Sequence, residues 1–517
     1  MANPLLFATR PGSAAPVTDA RNAAGGAAYQ RPARQALAQY AVTGCLNTTY
    51  YATAAEQLNA VLALARQVEP EFLAQTAVYA REQGFMKDLP ALLCAVLATR
   101  DPARLERVFP RVMDDGRMVR NFVQILRSGA VGRKSLGTAP KRMVQNWLAA
   151  RPDEAVFRAA IGNAPSLADV IRMVHPRPAN ETRAALYAYL LGRPHAVASL
   201  PPVVREFEAF KAGARATVPA VPFQLLTALA LGTREWTEIA KAASWQTTRM
   251  NLNTFARHGV FADDSVVKLI AERLANPDQV RRARVFPYQL LAAYEAAESG
   301  VPERVRAALL QAMEHATANV PQFAGRVIVA VDVSGSMQSP VTGQRPGGTT
   351  VVRCVEVAAL IAATVLRRNR QARVLPFHTR VEPFELAAGQ TIMANARQLA
   401  GCPSGGTDCA APLAHLNAES ARGDLVILVS DNESWASPPL GRGTEMLRQW
   451  DRFRGRNRGA RLVCLDLQPN ATVQAPDRED ILNVGGFADQ VFQVIAEFAA
   501  GRLQTGHWEQ QIAALAV

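Results

Sequence analysis

The spacing of apolar residues changes character at Pro321, so the two parts of the 517-residue chain must fold differently. From residue 34 to residue 320, apolar residues recur near the helical period, and the alternation typical of strands is nearly absent. After Pro321, the run 326–332 is apolar and rich in β-branched residues, as expected of a buried parallel strand. The sequence therefore predicts an all-α part followed by an α/β part.

The all-α part consists of short helices that Pro, Gly and Asn separate, for example at 151–153 and 162–165. We predict helices at 54–68, 71–83, 89–99, 143–150, 183–191 and 301–318. Such helices joined by short turns resemble an α-solenoid of the HEAT type. The sequence has no exact repeat, so a compact all-α domain stays open as an alternative.

The α/β part alternates strands with helices. We predict strands at 326–332, 373–377, 425–429 and 461–467, and helices at 351–368, 392–400, 410–422, 444–453 and 487–502. This alternation implies βαβ crossovers and a doubly wound parallel sheet. Residues 1–33 are rich in Ala, Gly and Pro, which favours a loosely held arm that orders only where it docks. We therefore divide the chain into an arm at 1–33, a helical domain at 34–320 and an α/β domain at 321–517.

The positive charge of the chain is concentrated before residue 321. Of the net charge of +13, residues 1–320 carry +12 and residues 321–517 carry +1. This asymmetry indicates that the helical part meets a polyanion, although a generally arginine-rich surface would give the same total. The six cysteines are scattered without metal-ligand spacing, and no apolar run approaches the roughly 18 residues that span a bilayer. We expect a cytoplasmic protein with reduced thiols and no membrane partner.

Polar residues follow the predicted strands at three places. They provide two carboxylates and three hydroxyls, from Asp332, Ser334, Ser336, Thr407 and Asp431. Ligands of open α/β sheets bind at the carboxyl ends of the strands. These hard oxygen donors suit Mg²⁺, which keeps several of its waters. The alternative is that the side chains only cap strand ends and helix N-termini.

The order of these elements resembles a von Willebrand factor A domain with its metal-ion-dependent adhesion site. The resemblance implies that Mg²⁺, or another divalent cation, is held with one position open to a carboxylate or phosphate of a partner. Asn432 departs from many such domains, which have Gly after the aspartate, and this bears on metal affinity. The sequence lacks the motifs of serine hydrolases, P-loop enzymes and zinc proteases, so we expect no catalysis.

A second resemblance is carried by the segments 48–51, 132–134, 141–147, 167–178, 284–291 and 331–337. With the basic helical array, they resemble the Ro autoantigen family of TROVE-domain RNA-binding proteins. That resemblance implies a closed ring of HEAT-like helix pairs, with Y RNA on its outer surface and 3′ single strands of misfolded or immature noncoding RNA in its hole. For a bacterial member it also implies work with a 3′-to-5′ exoribonuclease such as polynucleotide phosphorylase, in RNA quality control, rRNA processing and the stress response.

The helical part offers a set of cationic side chains for RNA. The predicted RNA-binding residues are Arg127, Arg133, Lys134, Lys141, Arg142, Arg172, His175, Arg177 and Arg183. Lysine and arginine would contact phosphates, which gives a steep salt dependence and little base specificity. His175 would stack on a base or, alternatively, interact with its own helix end. For the set as a whole the alternative is a solvated face, and we expect Tyr50, Tyr51 and Trp147 to be core residues.

The function predicted from sequence is that of a monomeric, non-catalytic RNA-binding scaffold. It would hold small structured RNA and unpaired 3′ ends through its helical domain, while its α/β domain binds Mg²⁺. The alternative is a protein–protein adaptor that grips a partner's carboxylate through Mg²⁺ and has no role with RNA.

Overall fold

The computed structural model describes residues 15–43, 46–283, 285, 287–317, 320–344, 352–436, 443–486, 489–503 and 506–517. Residues 1–14 of the predicted arm, the predicted helix ends at 351 and 487, and Arg284 and Phe286 of the segment 284–291 lie outside these ranges. The chain forms two compact units. The α/β unit comprises the described residues up to Gln39, Asn47–Ala54 and Val320–His507. The helical unit comprises Tyr40–Leu46, Ala55–Asn319 and Trp508–Val517.

Helices account for the regular structure between residues 33 and 316. They are α1 (Ala33–Thr43), α2 (Ala54–Gln67), α3 (Pro70–Glu82), α4 (Asp88–Arg100), α5 (Pro102–Val112), α6 (Gly116–Ser128), α7 (Thr138–Ala150), α8 (Asp153–Ala159), α9 (Leu167–Val174), α10 (Glu181–Leu190), α11 (Pro202–Lys211), α12 (Phe223–Leu226), α13 (Thr233–Ala242), α14 (Trp245–Met250), α15 (Leu252–Arg257), α16 (Asp264–Ala275), α17 (Pro277–Ala283), α18 (Pro287–Glu295) and α19 (Glu303–Ala316). Each of the six predicted helical segments overlaps one of these, which confirms the all-α prediction. None of the described helices is long and apolar enough to cross a membrane. Closure of the array into a ring stays a prediction.

Polar residues in the breaks between the helices begin the next helix. Ser166 starts α9 with a capping box, since its hydroxyl accepts the Asp169 N–H at 3.1 Å while the Asp169 carboxylate accepts the Ser166 N–H at 3.1 Å. Asn180 caps α10 in the same way through the Arg183 N–H at 2.8 Å. Because these caps satisfy N–H groups that a helix leaves unpaired at its start, they fix where each helix begins.

A five-stranded parallel sheet forms the centre of the α/β unit. Its strands, in spatial order, are β4 (Arg373–Phe377), β3 (Val327–Asp332), β5 (Leu425–Ser430), β6 (Arg461–Asp466) and β8 (Ile481–Gly485). The helices of the unit are α20 (Cys354–Arg368), α21 (Ile392–Ala400), α22 (Ala411–Ala418), α23 (Glu445–Arg456) and α24 (Asp489–Ala499). Strands β3 and β5 are buried along their whole length, as their continuous apolar runs predict. The doubly wound α/β prediction is thus confirmed, and β8 is an additional strand that the pattern did not predict.

The described part of the predicted arm is an ordered portion of the α/β unit. Strand β1 (Ala20–Arg21) pairs with β2 (Ala27–Gln30), and β2 pairs antiparallel with β7 (Thr472–Val473). Tyr29 enters the core of the unit, and Arg31 forms a buried ion pair with Asp466. The boundaries expected at residues 34 and 321 therefore differ from those of the compact units. The cause is strand pairing across more than 400 positions, which local periodicity does not reveal.

The end of the chain belongs to the helical unit. The last helix, α25 (His507–Ala513), places the Trp508 ring edge-on against Tyr79, with centroids 6.0 Å apart. The Gln75 side-chain amide donates to the carbonyl oxygens of Ala513 at 2.7 Å and Leu515 at 3.1 Å. These contacts explain why residues 508–517, which we assigned to the α/β domain, belong to the helical unit instead.

Candidate functional site

The five predicted metal ligands lie at the carboxyl end of the parallel sheet. Asp332 is the last residue of β3, and Asp431 directly follows β5, its neighbour in the sheet. Thr407 comes from the loop between α21 and α22. All five side chains are buried, with exposures of at most 4% for Asp332, Ser334, Ser336, Thr407 and Asp431. The fold thus brings residues separated by 99 positions to one edge, as the strand-end argument predicts.

Hydrogen bonds connect the three segments of this site. The Ser334 and Ser336 hydroxyls lie 3.3 Å apart, and Ser336 is close enough to the Asp431 carboxylate to oppose the rise of its pKa. The turn before Thr407 joins them, since the Gly335 N–H donates to the Gly405 carbonyl at 2.9 Å. The side-chain oxygens of a D-x-S-x-S segment and a second aspartate therefore converge.

Two buried carboxylates share this site without a cationic side chain in the hydrogen-bond network described for it. Asp332 accepts the Ser334 N–H at 2.8 Å and the Ser430 hydroxyl at 2.6 Å. Burial, and secondarily the charge of Asp431, raises the pKa of Asp332 to about 7. Burial also raises the pKa of Asp431. A bound cation would offset both effects, because an opposite charge nearby favours the ionised carboxylates.

The donor set fits a hard divalent cation. Carboxylate and hydroxyl oxygens suit Mg²⁺, whereas zinc sites use thiolate or imidazole ligands. The nearest thiol, Cys409, lies 3.8 Å from the Ser430 hydroxyl, and burial raises its pKa well above the usual range, so it stays a neutral thiol. Asp332, Ser334, Ser336, Thr407 and Asp431 are the residues that would hold the ion.

Two further residues belong to the surroundings of this site, and sequence reasoning missed both roles. Glu433 is 3% exposed, and its carboxylate accepts the Ala24 N–H at 3.2 Å, which ties the N-terminal segment to the site. Burial, followed by the charge of Asp431, raises the pKa of Glu433 to about 7. Tyr51 lies close to the Ser336 side chain and to the charge of Asp431, and burial raises the pKa of its hydroxyl above the usual range. The position of Glu433 two residues after Asp431 indicates that it lies near the site, whereas no local pattern places Tyr51 there.

The aromatic residues expected in the core differ in their exposure. Trp147 is buried, as predicted, and its indole N–H donates to the Met113 carbonyl. Tyr51 is half-buried at the candidate metal site. Tyr50 is 60% exposed and packs edge-on against Tyr51, so the core prediction for Tyr50 is wrong. The apolar pattern around residue 50 is too short to show which ring faces inward.

Most of the predicted RNA-binding residues lie on neighbouring helices. Helix α9 packs against α6 and α7, and the Gln145 side chain on α7 donates to the Val174 carbonyl at the end of α9. This packing collects a set that we call the basic cluster, which consists of Arg127, Lys134, Lys141, Arg142, Arg172, His175 and Arg177. All of these are exposed except Lys141, which is half-buried.

Within the basic cluster, ion pairs are few and weak. Arg142 lies 3.3 Å from Glu106, and Arg172 lies 3.0 Å from Asp169, with about half of each side chain exposed to solvent. Exposed pairs of this kind contribute roughly 0 to 1 kcal/mol, so both guanidinium groups can exchange a carboxylate for a phosphate. His175 ends α9 in the left-handed region at φ 51°, where its backbone N–H bonds the Ile171 carbonyl at 2.9 Å. The helix end is thus capped by the backbone of His175, and its exposed ring is left for other contacts.

Two of the predicted RNA-binding residues form bonds within the protein. Arg183 is 7% exposed, forms an ion pair with Asp153, and donates at 2.6 Å to the carbonyl oxygens of Leu148 and Arg151. Arg133 is half-buried and donates to the carbonyl oxygens of Ser135 at 2.9 Å and Ala98 at 3.3 Å. The donors of the buried Arg183 are therefore used within the fold, whereas Arg133 keeps part of its side chain exposed and its contact with RNA stays a prediction.

Comparison with known proteins matches both parts of the chain. The family model described as "Ro60 vWA domain" matches residues 326–499, and the model described as "TROVE domain" matches residues 236–345. RNA-binding protein RO60 of Deinococcus radiodurans is 28% identical over 526 residues, which cover 93% of this chain and 96% of that protein. RNA-binding protein RO60 of Caenorhabditis elegans is 24% identical over 254 residues, 47% of this chain and 38% of that protein.

A solved structure shows the same fold. The crystal structure of the Deinococcus radiodurans RO (RSR) protein aligns with a TM-score of 0.62 at 21% identity, and the alignment covers 91% of this chain and 100% of that one. The resemblance inferred from the sequence motifs is thereby confirmed. The TROVE match precedes the Ro60 vWA match along the chain, and the similarity to the Deinococcus radiodurans protein extends over nearly the whole chain, so this chain resembles the RO60 proteins in both of its parts.

Proposed function

We propose that this chain is a non-catalytic RNA-binding scaffold that holds RNA through the basic cluster. The observation that carries the proposal is the packing of α9 against α6 and α7, which gathers exposed cationic side chains on adjacent helices. The +12 charge of residues 1–320, against +1 beyond them, points to the same surface. The two curated relatives are named as RNA-binding proteins, which supports RNA as the polyanion.

The RNA ligands would be small structured RNAs of the Y type and the single-stranded 3′ ends of misfolded or immature noncoding RNAs. Contacts to phosphates suit such varied ligands, because they carry little sequence information. The scaffold would act as a cytoplasmic monomer and present 3′ ends to an exoribonuclease such as polynucleotide phosphorylase, for RNA quality control, maturation or decay. These assignments rest on the family resemblance, and labelled single-stranded RNA incubated with the chain and Mg²⁺ should stay intact.

Filter binding of a Y-type stem-loop RNA across a salt series tests the basic cluster. The variant replaces Arg127, Lys134, Arg142 and Arg177 with Glu, and the matched control replaces the exposed Arg205, Arg234, Arg281 and Arg282 with Glu. Each lost phosphate contact lowers the slope of log affinity against log salt by roughly 1. We expect the slope of the variant to fall by about 4, and that of the control to fall much less. An equal loss in both proteins would show that total charge, and not the basic cluster, binds the RNA.

The α/β unit would serve a different ligand. We infer that Asp332, Ser334, Ser336, Thr407 and Asp431 hold Mg²⁺, which would supply a Lewis-acidic point for a carboxylate of a partner protein. The convergence of buried oxygen donors supports this role, and it keeps open the adaptor function that the sequence suggested. Isothermal titration of the folded chain with MgCl₂ tests it, and the absence of heat from saturable binding would refute the site.

A further inference from the structure

A cavity of about 880 Å³ lies in the helical unit, and none of its lining residues belongs to the basic cluster. It opens between segments around α8, α12, α13, α14 and α15. Its volume falls within the range of roughly 300–1,000 Å³ that is typical of small-ligand sites. No carboxylate lines it among the described residues, whereas the guanidinium groups of Arg158 and Arg257 do. The composition of its wall therefore favours an anionic ligand.

Neither guanidinium group has an acidic partner among the described residues. Arg158 and Arg257 are both exposed at the cavity. Arg257 has only long bonds of 3.4 Å to the Asn253 carbonyl and the Thr254 hydroxyl. By contrast, Arg281 pairs with Asp278 at 2.5 Å on a nearby exposed face. Two cations without carboxylate partners at one cavity are available to a phosphate group.

The wall also carries an aromatic stack. The His258 imidazole lies parallel to the Trp236 indole, with centroids 4.2 Å apart and an interplanar angle of 11°. Trp236 is 2% exposed, whereas His258 is exposed, so the stack runs from the core outward and ends in a free ring face. The indole N–H of Trp236 is buried without an acceptor among the described residues. An outward ring face of this kind is the platform on which proteins stack unpaired bases.

Hydrogen-bonding groups complete the cavity. The side-chain amides of Gln246 and Asn251 and the hydroxyls of Thr247 and Thr254 line it, and they can both donate and accept. Met250 lies beside them with 68% of its surface exposed and adds an apolar side chain to the wall. The ring face can stack on the base of one nucleotide, and the amides can bond the edge of that base. The guanidinium groups can bind its phosphate.

We propose that this cavity binds one unstacked nucleotide of a single-stranded RNA. The base stacks on His258, Gln246 and Asn251 contact its edge, and Arg158 and Arg257 hold the adjoining phosphates. A duplex is excluded, because its bases are stacked on one another and offer no free face to a ring in a cavity. The proposal rests on the RNA-binding function, whose ligands include single-stranded 3′ ends, and deepens it by assigning one nucleotide of such a strand to residues outside the basic cluster.

Fluorescence anisotropy of the full chain with two labelled RNAs tests this site. The probes are a single-stranded ten-nucleotide uridine RNA and the Y-type stem-loop RNA, both at fixed salt. His258→Ala should weaken binding of the single strand by roughly tenfold, whereas His258→Phe keeps a ring face and should stay within about threefold of the unchanged protein. Arg158→Gln with Arg257→Gln should also weaken the single strand, and Arg281→Gln is the matched control. Binding of the stem-loop should change by less than about twofold in every variant.

The outcomes separate this proposal from the function on which it rests. If the unchanged chain binds neither RNA, the RNA-binding function fails. If it binds the stem-loop but His258→Ala and the double arginine variant bind the uridine RNA as well as the control does, the cavity is not the site. A competition series with adenosine monophosphate identifies the source of the nucleotide, because displacement of the RNA at micromolar concentration would make a free nucleotide the ligand and overturn the assignment to RNA. If His258→Ala does not fold, the double arginine variant still tests the cavity, because both arginines are exposed.

Discussion

Replacing Arg183 with Met should destabilise the helical unit by roughly 3 kcal/mol and leave RNA contacts intact. The guanidinium group is 8% exposed and holds the Asp153 carboxylate together with two backbone carbonyl oxygens at 2.6 Å. Removing one partner of a buried pair costs about 3 to 5 kcal/mol, and Asp153 is 25% exposed, which allows partial rehydration and favours the lower value. Methionine fills the space but donates no hydrogen bond. Near the melting temperature, a loss of about 3 kcal/mol corresponds to a fall of roughly 6 to 12 °C.

Arg142→Met is the matched control, because Arg142 carries the same group on the exposed surface beside Glu106. It should cost less than about 1 kcal/mol of stability. Urea unfolding followed by circular dichroism at 222 nm reports mainly the helical unit, and filter binding with the stem-loop RNA reports affinity. We expect Arg183→Met to shift the unfolding midpoint and Arg142→Met to weaken RNA binding. If Arg183→Met instead unfolds like the unchanged protein and loses RNA affinity as Arg142→Met does, then Arg183 is an RNA contact and the structural role assigned here is wrong.

Three further changes address the α/β unit. Asp332→Ala should abolish the rise in melting temperature that MgCl₂ causes and should leave RNA affinity unchanged. Scanning fluorimetry measures the first effect and filter binding the second. Loss of RNA binding by the folded variant would contradict the separation of the two sites. Tyr51→Phe removes a hydroxyl close to Ser336 that would compete with the ion for this side chain, so Mg²⁺ should bind up to about fivefold more tightly by calorimetry, since one hydrogen bond contributes roughly 1 kcal/mol. Weaker binding would mean that this hydroxyl supports the ion. Arg31→Met leaves the Asp466 carboxylate buried without its ion pair and should destabilise the unit by roughly 3 kcal/mol or more, with much of the loss recovered by adding Asp466→Asn. Urea unfolding followed by tryptophan fluorescence measures that recovery, and a single variant as stable as the unchanged protein would argue against docking of the N-terminal segment.

Several features were predictable because neighbouring residues encode them. The apolar runs of β3 and β5 predict buried parallel strands, and parallel strands end at a common edge. Polar residues that follow such strands must then meet, so the sequence predicts that the five candidate metal ligands lie together. The helices followed from periodicity in the same way, since each turn repeats within 3 or 4 positions.

Other features depend on contacts between distant parts of the chain. Arg142 and Arg183 are both arginines within predicted helices, yet one faces solvent and the other bonds Asp153 from inside. Residues 20–30 have no strong strand pattern, and they become strands because β7 supplies the hydrogen-bonding edge. The cavity at His258 needs side chains from five helical segments, none of which forms a motif by itself.

Local patterns are enough to predict the two fold classes, the family motifs and the strand-end oxygens, because periodicity and strand order follow from residues close together in the chain. Packing between distant residues sets which cations face solvent, where the N-terminal segment belongs, and which aromatic ring ends a stack at a cavity. Burial causes this difference. Whether a polar or aromatic side chain bonds its own protein or a ligand depends on the groups that packing places around it, and those groups come from residues tens to hundreds of positions away.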